Sequence, residues 1–426
     1  MKSGKTRDKN DPKYKMNLAL GLMFLTVFID LIGFGIVIPL MPLYAKEFGA
    51  SGFEVGLLLT SYSLMQFFFA PMWGRLSDRI GRRPVLLISL SISAIGYTIW
   101  GFSHSLAMLF VSRIVAGFGN ANLAVAQAYI ADVTPPEYRS RGMGMIGAAF
   151  GLGFVLGPAI AGLGCHFGLH PNTLGFIAAG LSLIDVIFTS IYLPEPKIRS
   201  GRAHNIFALG AQTYLNTVFN QKFATSLFII FISTFAFANM ETTLVLLTNK
   251  YFNFDLMKNS CLFVGLGLVM VLIQGGLIRR IGTKYQDASL IGVGTALMAV
   301  GLLLTPATHS LVVLCIALLI LATGSGINNP SSTSLLSKLS PEEETGGVMG
   351  VGQSMSTLGR ILGPIAGGSL FDAFGPGSPY WLGAACMFIA CALSFRLPKF
   401  AQKLAVDIEQ DPANQKRSTS EEPSFS

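Results

Sequence analysis

Polar and apolar positions in this chain alternate by whole segments. Apolar runs long enough to cross a hydrocarbon core, about 20 residues as a helix, recur throughout and are parted by short polar stretches. They predict helices near 17–44, 54–73, 85–103, 106–132, 141–164 and 173–193. A second set follows near 223–250, 258–279, 286–307, 309–336, 347–372 and 379–397. The expected fold is an all-α membrane protein of twelve transmembrane helices in two pseudo-symmetric six-helix bundles. Its parts would be a polar tail (1–16), a first bundle (17–193), a linker (194–222), a second bundle (223–397) and a second polar tail (398–426). The linker carries Pro194, Pro196 and basic residues, then the apolar-dotted stretch 206–218. That stretch reads as an amphipathic helix on the membrane surface or as an irregular connection.

Composition agrees with a lipid-embedded chain. Of 426 residues, 51% are hydrophobic and 12% charged, against roughly 25% charged in soluble domains; the mean hydropathy is +0.58. The first fifteen residues are basic and polar, and the apolar run behind them is too long for a signal peptide, so the first helix is expected to stay as an anchor. Lys and Arg fix the orientation: with both termini and the even-numbered loops in the cytoplasm, nearly all of them fall on that side. Only Lys46, Lys250 and Lys258 fall outside, and Arg113 and Arg360 fall within helices. This bias also accounts for the net charge of +8, so no nucleic-acid partner is needed. The five cysteines show no metal-ligand spacing and read as helix-packing residues. Neither HExxH nor GxSxG occurs, so an intramembrane enzyme is disfavoured and no cofactor is expected.

The halves repeat one another. Leu156-Gly157-Pro158 returns as Leu362-Gly363-Pro364, an offset of 206 residues, and at that offset Pro135 meets Pro341, Glu137 meets Glu343 and Gly144 meets Gly350. Chance similarity among apolar runs would not extend to polar loops. A repeat of this kind predicts two bundles about a central axis, with substrate between them near the midplane.

Four places carry candidate chemistry. Between the second and third runs lies a compact loop, Gly74 to Pro84, with Arg75, Arg79, Arg82 and Arg83 around Asp78, and with Gly81. The first helix holds Asp30 in the run Asp30-Leu31-Ile32-Gly33-Phe34-Gly35, followed by Pro39 and Pro42. The fourth holds Arg113 ahead of Gly117 and Gly119; an intramembrane Arg costs about 2.5–3.5 kcal/mol on insertion scales and normally faces water or an acid. Snorkelling to the outer surface is the competing reading for Arg113. The fifth helix runs Gly153-Phe154-Val155-Leu156-Gly157-Pro158 to Ala161-Gly162, and the eleventh copies it from Gly359 through Gly363-Pro364 to Gly367-Gly368. Small residues at this spacing allow close packing, and the Gly-Pro pairs suggest hinges. Asp185, Glu241 and Arg360 are further ionisable residues inside helices; static ion pairing is the rival role for Asp185 and Arg360.

These motifs resemble the major facilitator superfamily, over about residues 17–397, and within it the twelve-helix drug:proton antiporters that include tetracycline exporters. The first-loop signature, the RxxxGxG run at Arg113, the GxxxGPxxGG run (here ending Ala161-Gly162, a departure) and DxxGxGxxxPxxP at Asp30 carry the likeness. So does the DxxPPExR sequence of Asp132, Pro135, Pro136, Glu137 and Arg139. The resemblance implies a gating set of Gly74, Asp78, Arg79, Gly81, Arg82, Arg83, Asp132, Gly157, Pro158, Gly363 and Pro364. In it Asp132 would bridge to Arg82, and Asp78 would contact the cytoplasmic end of helix 11 in an outward-open state. Proton coupling would fall to Asp30 with Arg113 as partner, and to Glu241 as a second acidic site. Burial and a nearby guanidinium act on the Asp30 carboxyl in opposite senses, which would make it switchable. Cavity candidates are Tyr62, Gln66, Asn120, Asn122, Gln127, Asn239, Gln274, Asn328, Asn329, Gln353 and Arg360.

The function expected is proton-coupled export of amphipathic small molecules by alternating access. Uptake of a small metabolite is the alternative, and a transporter-like receptor a third. The expected partners are the lipid bilayer, protons and a small-molecule substrate; the expected state is a monomer integral to the cell membrane, a bacterial inner membrane by its short loops.

Overall fold

The computed structural model describes residues 12–120, 122–134, 139–196, 217–282, 284–307, 310–340 and 345–397. The stretch 206–216, both expected tails up to residue 11 and from 398, and Pro135, Pro136, Glu137, Pro341 and Glu343 lie outside the described residues.

Described residues form helices and short turns. The first half holds α1 (Pro12–Glu47), α2 (Gly52–Ile80), α3 (Arg82–Gly101), α4 (Leu106–Gly119), α5 (Asn122–Val133), α6 (Arg139–His166) and α7 (Pro171–Tyr192). The second half holds α8 (Gln221–Phe252), α9 (Leu256–Leu272), a π turn (Ile273–Leu277) leading into α10 (Ile278–Ile281), α11 (Asp287–Leu304), α12 (Leu311–Leu339), α13 (Thr345–Phe374) and α14 (Ser378–Ser394). Among the described residues ten helical spans are long and apolar enough to cross a membrane. The glycine-rich α13 and the 17-residue α14 fall outside that set.

Local chemistry explains the helix ends. Ser51 and Glu54 form a reciprocal capping box at the start of α2, Ser51 N donating to Glu54 Oε2 at 2.7 Å. Asp255 caps α9, and Asn253, with φ of 50°, closes α8 in the left-handed region. Pro171 opens α7 at a position where a missing N–H costs nothing.

Three segments depart from the sequence expectation. The stretch Gly74–Ile80 is helical rather than looped: the break between α2 and α3 is Gly81 alone, with φ of 108°. Glu195 fills the junction, its carboxylate accepting from Arg82 N (2.7 Å) and Arg83 N (2.9 Å), a negative charge at a helix N-terminus. The fourth expected helix is broken at Asn120, which has ψ of 68°. The eighth is interrupted by the π turn, which contains Gln274, Gly275 and Gly276, before α10.

Packing repeats between the halves. Helix α1 packs on α6 as α8 packs on α13; α3 packs on α4 and α7 as α11 packs on α12 and α14. Across the halves the main contacts are α2 with α13 and α6 with α9. One apolar core lies almost wholly in the second half, and two lie mainly in the first. An ion pair also repeats with its charges exchanged. Arg82 meets Asp132 at 2.8 Å, and Asp287 meets Lys338 at 2.6 Å, with Lys338 standing 206 residues after Asp132. Large apolar side chains such as Ile95, Ile187, Val312 and Leu319 face outward, as a lipid solvent permits.

Candidate functional site

Small residues let the helices around the centre approach closely. A Cβ on Gly35 of α1 would lie 2.6 Å from Gly153 O of α6, and one on Gly157 would lie 2.5 Å from Gly35 Cα, with Pro158 beside them. The α6 Gly-Pro motif therefore seats α1 within its own half. Its copy in α13 does the same for α8: a Cβ on Gly363 would meet Phe235 O at 2.7 Å. Gly33, one turn beyond Asp30, lies under the Tyr97 ring, so α3 closes over α1 beside the carboxylate.

Two adjoining cavities result near the middle of the helices. The first, about 60 Å³, is lined by Phe34, Tyr62, Arg113, Glu241, Thr242 and Arg360 among others; the second, about 30 Å³, by Asp30, Phe34, Tyr62, Gln66, Asn120, Phe150 and Arg360. Phe34, Tyr62 and Arg360 belong to both. These volumes are well below the ~300–1,000 Å³ of sites that enclose a drug-sized molecule.

Asp30 is 6% exposed. Arg113 is 1% exposed and does not snorkel: its guanidinium lies over Tyr97 at 5.5 Å and Trp100 at 5.8 Å from the ring centroids. Its Nε reaches Ser112 Oγ at 3.4 Å, while Nη2 is buried without a hydrogen bond. Among the described residues no carboxylate lies within ion-pair distance of Arg113. Tyr62 and Tyr97 are the groups that feel both Asp30 and Arg113. Gln66 Nε2 donates to Asn120 Oδ1 at 2.8 Å where α4 ends, tying α2 to that break. Glu241 Oε1 is buried without a hydrogen bond, within the field of Arg360.

Other sequence candidates lie elsewhere. Asn239 donates to Pro379 O at 2.9 Å between α8 and α14. Asn328 accepts from Ser332 at 3.2 Å within α12, against Gly294 of α11. Asn329 contacts Ser325 at 3.5 Å on the same helix. Gln127 is half-buried on α5, Gln274 lies in the π turn and Gln353 is exposed; none of the three lines either cavity. The backbone of Asn122 starts α5, and its side chain lies outside the described residues. Asp185 is fully buried between α7 and α1, in contact with Thr189 at 3.4 Å, and Thr189 meets Thr26 at 3.1 Å.

Of the gating candidates, Gly74, Asp78, Arg79, Gly81, Arg82, Arg83 and Asp132 gather at the end of the molecule that carries Gly81, the basic end, whereas Gly157, Pro158, Gly363 and Pro364 lie at the close helix contacts of α6 and α13. Arg82 bridges Asp78 (2.6 Å) and Asp132 (2.8 Å) and donates to Ser77 Oγ at 2.7 Å. Arg83 donates to Ser190 O, and Arg79 is exposed. Asp78 is thus paired within its own half, its side chain 54% exposed.

Contacts between the halves lie toward the opposite, distal end. Asp372 of α13 accepts from Gly52 N (2.9 Å) and Phe53 N (2.8 Å), capping α2 across the interface. Thr60 Oγ1 donates to Ile361 O at 2.8 Å, and a Cβ on Gly56 would strike the Pro364 carbonyl. At the basic end Gly74, Gly144, Gly275 and Gly350, on the four helices that join the halves, face open space. The sequence reading missed Asp372, Glu195, Tyr97 and Trp100. Each works through a partner distant in the chain, and the only local signal was an acidic residue near a helix end.

A family model for the Major Facilitator Superfamily matches residues 23–355 and 284–421. The chain belongs to the Major Facilitator Superfamily. Tetracycline resistance protein, class B, of Escherichia coli is 32% identical over 408 residues, covering 91% of this chain and 98% of that protein. Multidrug resistance protein 1 of Bacillus subtilis is 28% identical over 381 residues, covering 89% and 96%. Major facilitator superfamily domain-containing protein 10 of Mus musculus is 29% identical over 428 residues, covering 88% and 90%. The crystal structure of the human organic anion transporter MFSD10 matches with a TM-score of 0.70 at 26% identity, covering 89% of this chain and 99% of that one. A bacterial homolog of the human lysosomal transporter Spinster, inward-facing and unoccupied, shares the fold with a TM-score of 0.72 at 17% identity, covering 93% and 99%. This chain is a membrane transporter of the superfamily, with relatives named for drug and tetracycline resistance.

Proposed function

We propose that this transporter is a proton-coupled exporter of amphipathic small molecules, built from twelve spans in two six-helix bundles and working by alternating access. The observation that carries the reading is the convergence of Asp30, Arg113, Glu241 and Arg360, from both halves, on adjoining cavities at mid-length. Intramembrane ionisable groups mark ion and substrate pathways. The names of the bacterial relatives favour export.

With the basic end in the cytoplasm, as its arginines favour, both termini are cytoplasmic and the distal contacts close the outside. The conformation is then inward-facing, and Asp78 is parted from α13 because the bundles are separated at that end. Its contact with α13 belongs to the outward-facing state, as do hinge movements at Gly157-Pro158 and Gly363-Pro364. Asp30 carries the proton, Arg113 acts on it through the shared neighbours Tyr62 and Tyr97, and Glu241 is the second acidic site. A proton entering from outside neutralises Asp30, substrate leaves, and the protonated carrier returns.

The test is transport of a fluorescent lipophilic drug into everted vesicles under an imposed pH gradient. Accumulation that collapses with the gradient, and fails in Asp30→Asn, is expected. Accumulation indifferent to the gradient would overturn proton coupling, and movement in the reverse direction would make the protein an uptake system.

A further inference from the structure

Asp185 lines neither cavity. It is wholly buried on α7, which packs mainly on α3 and α1 of its own half, so a substrate between the halves does not touch it. Nothing balances its charge: among the described residues no Lys or Arg lies within ion-pair distance, and its Oδ2 is buried without a hydrogen bond. Thr189, one turn on, donates to Asp185 Oδ1 at 3.4 Å, and Thr189 in turn meets Thr26 of α1 at 3.1 Å. Thr26 stands one turn before Asp30, and Asp30 is the charged group whose field reaches Asp185. The titratable groups that α3 brings toward α7 are engaged elsewhere. Arg83 meets the Ser190 carbonyl, more than a turn away, Arg82 is held by Asp78 and Asp132, and Tyr97 lies toward Asp30. A carboxylate in this setting keeps its desolvation cost with no cation to offset it. A proton removes the charge and, unlike a solute or a metal ion, needs no cavity. The two hydroxyls suit both states, because each can donate to a carboxylate or accept from a neutral acid. A guanidinium could serve the charged state alone.

We infer that Asp185 is a proton-binding site in the wall of the first bundle, off the substrate path, whose charge state is coupled to that of Asp30 and which adds a proton to each cycle. The inference rests on the transport reading and deepens it by placing a proton site where no substrate atom reaches. Uptake of one proton turns the carboxylate into a neutral acid and release restores it; no other bond changes. In an interior that screens weakly, a negative charge on either carboxyl repels one on the other, so each site senses the proton of the other. Asp30 exchanges its proton at a cavity wall. Asp185 follows through the field of Asp30 alone. Its depth suits this role: it stands seven residues before the end of α7 at Tyr192, ~10 Å of helix from the basic end. Asparagine would fill the same space and bind no proton.

The experiment is infrared difference spectroscopy of the purified full-length protein in lipid nanodiscs, stepped through pH with neither drug nor gradient. Wild type should show a protonated-carboxyl C=O band that grows on acidification and is absent from Asp185→Asn. Asp185→Glu should keep a pH-dependent band at a changed frequency, and it serves if the asparagine variant does not fold. Interacting carboxyls titrate in separate steps, so Asp30→Asn should leave the Asp185 step and displace it by at least about one pH unit. In proteoliposomes, Asp185→Asn should move about one proton fewer per drug molecule than wild type. An Asp185 band that pH does not alter, no such band at any pH, a step unmoved by Asp30→Asn, or an unchanged proton count would each overturn the inference. A titrating, coupled Asp185 in a protein that moves no drug would sink the transport reading alone; proton-coupled export with a silent Asp185 would sink this one alone.

Discussion

At the scale of single residues, Arg82 shows how one side chain holds several elements. It is buried and joins α2, α3 and α5 through Asp78, Asp132 and Ser77. Removing it leaves Asp132 without its cation. Because Asp132 keeps some solvent contact and Asp78 keeps much more, Arg82→Ala should cost about 1–3 kcal/mol rather than the ~3–5 of a fully buried pair. Thermal unfolding in detergent measures it, and Arg82→Lys should recover less than half, since an ammonium lacks the fork. An unchanged melting point in the alanine variant would make the bridge decorative. Among the candidate residues, Asp30, Arg113, Glu241 and Arg360 each stand out against apolar helices and each reaches a cavity wall, whereas Asp185, which stands out equally, is buried beside Thr189 away from both cavities. Uncharged polar residues were not legible. Asn239 and Asn328 look the same in sequence as Gln66 and Asn120, yet they bond to a carbonyl or to their own helix. An amide finds a local partner easily, whereas a charge in lipid needs a special setting.

At the scale of elements, the helix pairs were written in spacing and the joints were not. Glycines and prolines in α6 and α13 announced tight packing, but each of these helices has two partners, one in its own half and one across. The cross-half joint includes Asp372 capping the N-terminus of α2, a contact over 320 residues that no window of sequence contains. The basic loop was misread for a related reason: four arginines suggest solvent, yet a helix with a single positive-φ glycine at its end accommodates them. Asp372→Ala removes two charge-assisted bonds present only while the distal ends meet. Each is worth about 1.5–3 kcal/mol, so the population with α2 and α13 parted should rise at least ~10-fold. Spin labels at the distal ends of these helices, read by double electron–electron resonance, report it. A distance distribution identical to wild type would show that the apolar contact alone keeps this end closed.

At the scale of the molecule, the repeat accounts for most of the architecture. Equivalent helix pairs, mirrored cross-half contacts and the exchanged ion pair all follow from one unit used twice. The cores lie mainly within one half or the other, so each half should fold around its own apolar interior. Co-expressing residues 1–205 and 206–426 as separate chains should therefore restore at least about a third of the wild-type signal in the everted-vesicle transport assay, while neither half alone gives any. Failure of the pair with both fragments present in the membrane would mean that the halves need a continuous chain to assemble.

In the proposed cycle Asp30 couples protons to substrate movement between these halves. It is tested most directly by comparing two modes of transport in Asp30→Asn proteoliposomes. Exchange of labelled for unlabelled drug needs no net proton movement, whereas accumulation against a drug gradient does. Exchange within about 3-fold of wild type is expected, with gradient-driven accumulation reduced at least 100-fold, about 2.7 kcal/mol of lost coupling. Accumulation at the wild-type level would contradict it and move the proton to another carboxylate.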